Sequence, residues 1–215
     1  MTSTDHAVVW TDQLSVGYRP GREVLTKLDV HLPSGLGQLR GANGSGKSTL
    51  VEVLAGRLDP WTGGAGLYGR DVRTARPLRR VCRSRPALYP TLTLREHLQL
   101  LADARVVELA DALMRCERYG VGPWLDVPSD QLSTGNLRKA WIVLCTVPTV
   151  PLWLMDEPFN GLDESGAAVL VAEIGERVAA GLDVVLVAHQ MPPGLTPTTV
   201  VELPSRSLVE AGDPR

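Results

Sequence analysis

The sequence is poor in cysteine and in net charge, and each scarcity excludes a class of protein. Its three cysteines, Cys82, Cys116 and Cys145, form no Cys-x-x-Cys pair and no metal-ligand spacing. This pattern argues against a disulfide scaffold or a zinc module and favours buried thiols in a reducing compartment. The formal net charge is −2 at pH 7, so no global charge attracts nucleic acid or an anionic membrane surface. We expect no nucleic-acid partner.

Long apolar segments are also missing. The stretch Ala140–Met155, which carries no charged residue, is interrupted by Pro148 and Pro151 and is shorter than the roughly 20 residues that a spanning helix needs. The N-terminal residues lack the basic and apolar regions of a secretory signal. With 215 residues, of which 44% are hydrophobic, the chain fits one globular domain. The sequence predicts a cytoplasmic protein that acts at a membrane only through a partner.

Short apolar segments between turn residues predict a mixed α/β chain. The predicted strands are Ala7–Trp10, Gln13–Tyr18, Val24–Leu32, Gly37–Arg40, Leu152–Met155, Val184–Val187, Thr199–Leu203 and Ser207–Val209. Helices are predicted over Gly46–Arg57, after a capping box of Thr93 and Glu96, and over Val106–Arg118, Gly135–Val147 and Asp163–Gly181. The uninterrupted apolar run Leu152–Met155 is typical of a parallel strand that is covered on both faces.

A glycine-rich loop lies between the predicted strand at Gly37–Arg40 and the helix that follows. It reads Gly41-Ala42-Asn43-Gly44-Ser45-Gly46-Lys47-Ser48-Thr49 and matches the phosphate-binding pattern G-x-x-x-x-G-K-[ST]. Glycines let successive backbone N–H groups point at a phosphate, and the helix adds its positive end. Lys47 is one of only three lysines beside 19 arginines. We expect Lys47 to contact the β- and γ-phosphates of ATP and the Ser48 hydroxyl to bind Mg²⁺.

Two carboxylates end the apolar strand at Leu152–Met155. The first, Asp156, lies where α/β sheets bind ligands and is predicted to hold the Mg²⁺ shell. The next residue, Glu157, is placed to polarise an attacking water as general base. Together with the glycine-rich loop, these residues predict a P-loop nucleotide hydrolase.

Three further segments resemble the ABC ATPase family, in that family's order. Leu132-Ser133-Thr134-Gly135-Asn136 resembles its signature, Asp156-Glu157-Pro158 with Asn160-Gly161-Leu162-Asp163 resembles its Walker B and D-loop, and His189 resembles its switch histidine. The resemblance spans Tyr18 to His189. It implies a P-loop core with a mostly parallel sheet (1–83 and 148–215), an N-terminal antiparallel β-subdomain and an inserted helical subdomain (84–147). Short segments around Leu39–Lys47 and at His189-Gln190 also resemble small export-type subunits, including haem exporters.

The same resemblance implies how the residues act. Two subunits would meet head to tail, as a homodimer or a heterodimer, on an integral membrane subunit. Ser133 and Gly135 of one would close over the ATP that the other holds on Gly41–Thr49. Tyr18 would stack on adenine, His189 would contact the γ-phosphate and help order water near Glu157, and Asp163 would couple the two sites. Three of these residues also have a simpler interpretation: Tyr18 as a core or surface tyrosine, His189 as a strand-end histidine, and Asp163 as a helix cap.

Several residues depart from the family pattern. Ser84 occupies the position of a glutamine that ligates Mg²⁺ and senses the membrane subunit, and Thr134 and Asn136 replace a glycine and a glutamine of the signature. These changes put hydrolysis and coupling in doubt, but not nucleotide binding. Arginines also cluster from Arg70 to Arg85 with Asp71 as the only acid. This cluster is either a solvated edge or a docking face for an acidic loop of the membrane subunit.

Three functions remain open on the sequence. The first is the ATPase subunit of a transporter, and the second is a subunit that binds ATP and leaves hydrolysis to a catalytic partner. The third is a soluble ABC protein that acts on nucleic acid or ribosomes. The chain has one copy of each motif and no net positive charge, which disfavours the third.

Overall fold

The computed structural model describes residues 7–104 and 106–204. Strands β1 to β9 span, in order, Val9–Arg19, Arg22–Leu32, Leu36–Arg40, Thr62–Leu67, Arg70–Asp71, Arg79–Cys82, Leu152–Asp156, Asp183–Val187 and Thr199–Glu202. Helices α1 to α5 span Lys47–Leu54, Leu94–Asp103, Leu109–Arg118, Thr134–Thr146 and Glu164–Ala179. The strand predicted at Ser207–Val209 lies outside the described residues. No helix within the described ranges is long and apolar enough to cross a membrane.

A parallel sheet forms the centre of the molecule, in the order β6-β7-β8-β3-β9. Alternate residues of β7 enter two different cores: Leu152 and Leu154 pack with β1, β2 and α1, whereas Trp153 and Met155 pack with α2–α5. The uninterrupted apolar run is therefore buried on both faces, which confirms the α/β prediction with a mostly parallel sheet. All three cysteines are buried and free, as predicted.

The N-terminal strands form a separate antiparallel sheet in the order β2-β1-β4-β5. The prediction of two strands on either side of Thr11 and Asp12 was wrong, because β1 continues through a bulge at Gln13. Gln13 has a φ of 45°, and its backbone N–H and Nε2 both donate to the Asp29 carboxylate, at 2.6 and 2.5 Å. That cross-strand contact holds the extra residue without ending the strand.

The structure confirms two predicted helix caps and contradicts one predicted helix start. Thr93 and Glu96 form the predicted capping box at α2, and Asp163 caps α5 by accepting from the Gly166 N–H at 2.8 Å. The prediction that α3 begins at Val106 was wrong. The Val106 N–H donates to Leu101 O at 2.9 Å and closes the end of α2, so α3 begins three residues later.

Strands β4 and β6 were missed because their sequences are atypical of strands. Glycine-rich β4 (Thr62–Leu67) needs Gly66, since a Cβ there would lie 2.3 Å from Trp10 Cε2. Half of β6 is arginine, and its pairing with β7 depends on tertiary contacts.

The arginine cluster is not a single solvated edge. Arg79 is only 4% exposed and donates to Val72 O at 2.8 Å, and burial lowers its pKa to about 10. Arg76 is exposed and Arg80 is half-buried. The interpretation of the whole cluster as surface was wrong at Arg79, whose guanidinium is buried at the edge of the sheet.

Candidate functional site

The glycine-rich loop connects β3 to α1 and has backbone conformations that suit a phosphate cradle. Gly44 and Gly46 have φ values of 81° and 96°, which favour glycine over any residue with a Cβ. A Cβ on Gly46, the N-cap of α1, would also lie 2.4 Å from Leu25 Cδ2. The loop thereby leaves the first N–H groups of α1 free for an anion.

Lys47, Ser48 and Thr49 form the end of this loop sequence and the start of α1. The Lys47 ammonium is buried and donates to Gly41 O at 2.8 Å and to Ala42 O at 3.0 Å. Ser48, the next residue of α1, is exposed. The Thr49 hydroxyl lies 3.4 Å from the hydroxyl of Tyr18, whose residue is 62% exposed beside a cavity of about 270 Å³. An exposed ring next to the phosphate loop is available to stack on a base.

Asp156 ends β7 next to this loop. Burial raises the pKa of its carboxyl, while the nearby hydroxyls of Ser48 and Ser84 act in the opposite direction. Its Oδ1 is buried and accepts no hydrogen bond within residues 7–104 and 106–204. An unsatisfied carboxylate oxygen beside a serine hydroxyl fits Mg²⁺, which binds through hard oxygens and completes its shell with phosphates and water. The described residues contain no group of three or more His, Cys, Asp or Glu that could hold a metal ion.

The variant Asp156→Asn tests whether the raised pKa of the Asp156 carboxyl lowers the stability of the protein at neutral pH. Because the folded state raises the Asp156 pKa, it holds the proton more tightly than the unfolded chain. Wild-type stability therefore falls as pH rises from about 4 through the raised pKa. Asp156→Asn removes this loss. Without nucleotide at pH 7, we expect the variant to unfold at the wild-type temperature or above it, and to lose the extra stabilisation by ATP that depends on Mg²⁺. A variant that unfolds earlier than wild type at pH 7 without nucleotide would contradict this account.

The backbone of Glu157 is strained. Its φ is 46°, and such a left-handed conformation costs a non-glycine residue about 1–3 kcal/mol. Hydrogen bonds hold it there: the Glu157 N–H donates to Val187 O at 2.9 Å, and Glu157 O accepts from Asn160 N at 3.2 Å and from Arg138 Nη2 at 2.7 Å. Glu157 and His189 both line a cavity of about 270 Å³.

His189 follows β8 and contacts two predicted site residues. Its Nε2 lies 3.7 Å from Glu157 Oε1 and 3.1 Å from Asn43 Oδ1 of the glycine-rich loop. The side chain is 53% exposed. The loop, Asp156, Glu157 and His189 thus lie together at the carboxyl end of the sheet, where α/β proteins bind ligands.

Ser133 and Gly135 begin a different helix. Ser133 caps α4 by accepting from the Asn136 N–H at 3.2 Å, and both Ser133 and Thr134 are exposed. Within the described part of the chain, no hydrogen bond or ion pair joins Ser133–Gly135 to Gly41–Thr49. The fold therefore leaves a second free helix N-terminus on the surface rather than at the loop of its own chain.

Two adjacent cations of α4 were missed by the sequence analysis as site residues. Lys139 is 6% exposed, and its ammonium lies 2.7 Å from the Asp163 carboxylate. Several contacts lower the Asp163 pKa to about 2, and the hydrogen bond from Lys139 contributes most. Arg138 is 2% exposed and donates to backbone carbonyls beside Asp156 and Glu157. Two consecutive cations in a helix whose other residues are mainly apolar were the only available signal.

Comparison with known proteins identifies the family. The family profile described as "ABC transporter" matches residues 25–160. This chain belongs to the ABC transporter family. It is accordingly an ATP-binding subunit whose ATP hydrolysis is coupled to transport, and subunits of this kind pair with membrane components.

Relatives and solved structures extend the match. The chain is 32% identical over 179 residues to the cytochrome c biogenesis ATP-binding export protein CcmA of Pseudomonas syringae pv. syringae, covering 80% of this chain and 83% of the relative. It is 33% identical over 171 residues to the CcmA of Salmonella typhi, covering 75% and 79%. An ATP-binding subunit of an ABC transporter superposes with a TM-score of 0.76 and 29% identity, covering 85% of this ABC ATPase and 79% of that chain. An ATP-bound bacterial Atm1-family exporter superposes with a TM-score of 0.80, covering 94% of this chain and 38% of that chain. Because the two sequences are only 20% identical, this match shows the shared fold alone.

Proposed function

We propose that this ABC ATPase powers an export-type transporter through ATP-driven, head-to-tail pairing of two ATPase subunits. One observation supports the proposal: His189 lies beside both Glu157 and the glycine-rich loop, whereas Ser133 is exposed at a separate helix start. In the proposal, Gly41–Thr49, Asp156, Glu157 and His189 are half of a nucleotide site, and Ser133 belongs to the other half. Neither half is complete alone. Symmetric pairing of two such chains brings each exposed helix start to the loop of the other chain.

Each residue then has a role at the bound ATP. The glycine-rich loop holds the phosphates through Gly41, Asn43, Gly44, Ser45 and Gly46, Lys47 neutralises the β- and γ-phosphates, and Thr49 follows at α1. Ser48 and Asp156 would hold Mg²⁺, which would supply positive charge at the γ-phosphate. Glu157 accepts the proton of the attacking water, and His189 contacts the γ-phosphate. The partner's Ser133 hydroxyl and Gly135 N–H donate to the same phosphate.

Concentration dependence tests the pairing. Because a monomer holds only half of each site, the Mg-ATP turnover of the purified chain, expressed per subunit, should rise with protein concentration and saturate. Turnover that is independent of concentration, in a chain shown to be monomeric by sedimentation, would contradict the proposal.

The names of the relatives support a direction of transport and a location. The similar proteins from Pseudomonas and Salmonella carry names that specify export, which supports an export-type assembly on the cytoplasmic face of a membrane. We further propose that residues 1–83 and 148–215 act as the nucleotide-binding core and residues 84–147 as the helical part. A groove between them is the expected contact with the membrane subunit.

This groove has the charge for an acidic partner. It encloses about 480 Å³ between the core and the helices, with Leu88, Leu101, Trp141 and Leu144 among its apolar lining residues and Arg57, Arg76, Arg79 and Arg80 at its basic side. We propose that a cytoplasmic segment of the membrane subunit docks here through apolar side chains and carboxylates.

Charge reversal tests the groove. Arg79 is unsuitable, because a buried carboxylate there would unfold the sheet edge. Changing both Arg76 and Arg80 to Glu should lower recovery of the integral membrane subunit about tenfold or more, at ~1 kcal/mol per reversed contact. The control is Arg70→Glu with Arg73→Glu, which makes the same charge change in the same cluster outside the groove. Equal recovery in both double variants would remove the groove as the docking site.

A second function is supported by specific residues. Ser84, Thr134 and Asn136 differ from the family pattern, which suits a subunit that binds ATP and leaves hydrolysis to a catalytic partner. Glu157 and His189 are present and 3.7 Å apart, which favours hydrolysis by this chain. ATP binding without turnover at any protein concentration would favour the second function instead.

A further inference from the structure

Arg138 is a buried cation that donates to backbone carbonyls. Its Nη1 donates to Arg83 O at 2.8 Å and to Ser84 O at 2.9 Å, and its Nε donates to Pro158 O at 3.2 Å. Its Nη2 donates to Glu157 O at 2.7 Å and lies 3.5 Å from Asp156 O. Within residues 7–104 and 106–204 it forms no ion pair. One guanidinium therefore joins two loops that are more than 70 residues apart in the sequence.

Both loops matter to the proposed reaction. The first, Arg83–Ser84, directly follows β6, whose Arg80 and Val81 line the groove. The second holds Glu157 in its left-handed conformation. Only a guanidinium offers N–H donors in a rigid fork over this many acceptors, since an ammonium offers three from one point.

We infer that Arg138 is a positioning residue that fixes the Glu157 peptide to the Arg83–Ser84 segment below the groove. The inference rests on the proposed role of Glu157. In this chain the backbone of the Arg83–Ser84 segment, through Arg138, links the groove to the water-activating carboxylate. Displacement of the Arg83–Ser84 segment by a docked partner moves the carbonyl network and, with it, Glu157.

The variant Arg138→Lys tests whether Arg138 positions Glu157 for ATP turnover. Arg138→Lys keeps the charge but releases most of the carbonyls, and a carboxylate displaced by about 1 Å lowers kcat by roughly 10- to 100-fold. ATP affinity should change by less than about threefold, because the phosphate loop is untouched. In a Glu157→Gln background, Arg138→Lys should have no further effect on the residual single turnover. A full further loss in that background would overturn the inference.

Arg177 is the matched control. It is 7% exposed and also donates to backbone carbonyls, those of Val150 and Asp183, at the opposite end of the sheet. Arg177→Lys should lower thermal stability to a similar extent and leave kcat per folded chain unchanged. If both variants lose kcat equally, Arg138 acts only through general stability and the inference is wrong. If Arg138→Lys does not fold, Arg138→Gln is measured in the same way, since it removes the charge and keeps two donors.

Hydrogen exchange gives a readout that needs no turnover. In the nucleotide-free protein, Arg138→Lys should speed exchange of the Glu157 and Asn160 N–H groups, whereas Arg177→Lys should speed that of Asp183. Wild-type protection at Glu157 and Asn160 in Arg138→Lys would overturn the inference even if the enzyme is active. Absence of turnover in the wild type would instead contradict the proposed function and leave the exchange result to decide the role of Arg138.

Discussion

Glutamine in place of Glu157 should lower Mg-ATP turnover by about 100- to 10,000-fold, the range for loss of a general base. The amide cannot accept the proton of the attacking water. It still fits the cavity shared with His189, and the backbone hydrogen bonds that hold residue 157 are unchanged. ATP binding should therefore persist. We expect kcat to fall while the affinity for ATP stays within about threefold.

The same variant should accumulate in the paired state. If ATP stabilises the closed pair and hydrolysis releases it, blocking hydrolysis shifts the population toward the pair. Sedimentation or size-exclusion chromatography with ATP, with and without Mg²⁺, measures this shift. An ATP-loaded Glu157→Gln protein that never pairs, with itself or with a sister subunit, would contradict the head-to-tail site.

Two variants that are inactive alone should restore activity when mixed. Lys47→Met removes the ammonium from the phosphate loop and should weaken ATP binding about 10- to 100-fold, as expected for a lost charged hydrogen bond. Ser133→Asp keeps the helix cap but places a carboxylate against the partner's γ-phosphate. A mixed pair contains one site with an intact loop and an intact helix start. Random pairing should restore about a quarter of the wild-type turnover.

The control for this experiment is Ser133→Asn. Asparagine caps a helix as well as aspartate does but adds no charge, so this variant should keep most of its turnover alone. Mixing that restores no activity, under conditions in which mixed pairs are detected, would show that loop and helix start do not complete the same site. Activity of Ser133→Asp alone would show the same.

The local chemistry of the site was predictable from the sequence. The spacing of Gly41 to Thr49 between a strand and a helix predicts a phosphate loop, because glycine φ values and helix N–H groups act within a few residues. The caps at Thr93 and Asp163 were predictable for the same reason, and both are confirmed.

Tertiary structure decided what depends on distant partners. Gly66 is required in β4 because Trp10 packs against it, and Arg79 is buried with a hydrogen bond to Val72 O. Most of all, Arg138 has no counter-charge near it in sequence. Its partners are carbonyls of two loops that the parallel sheet brings to one edge. Short-range backbone preferences are written in neighbouring residues, whereas the satisfaction of a buried charge depends on which loops the fold places around it.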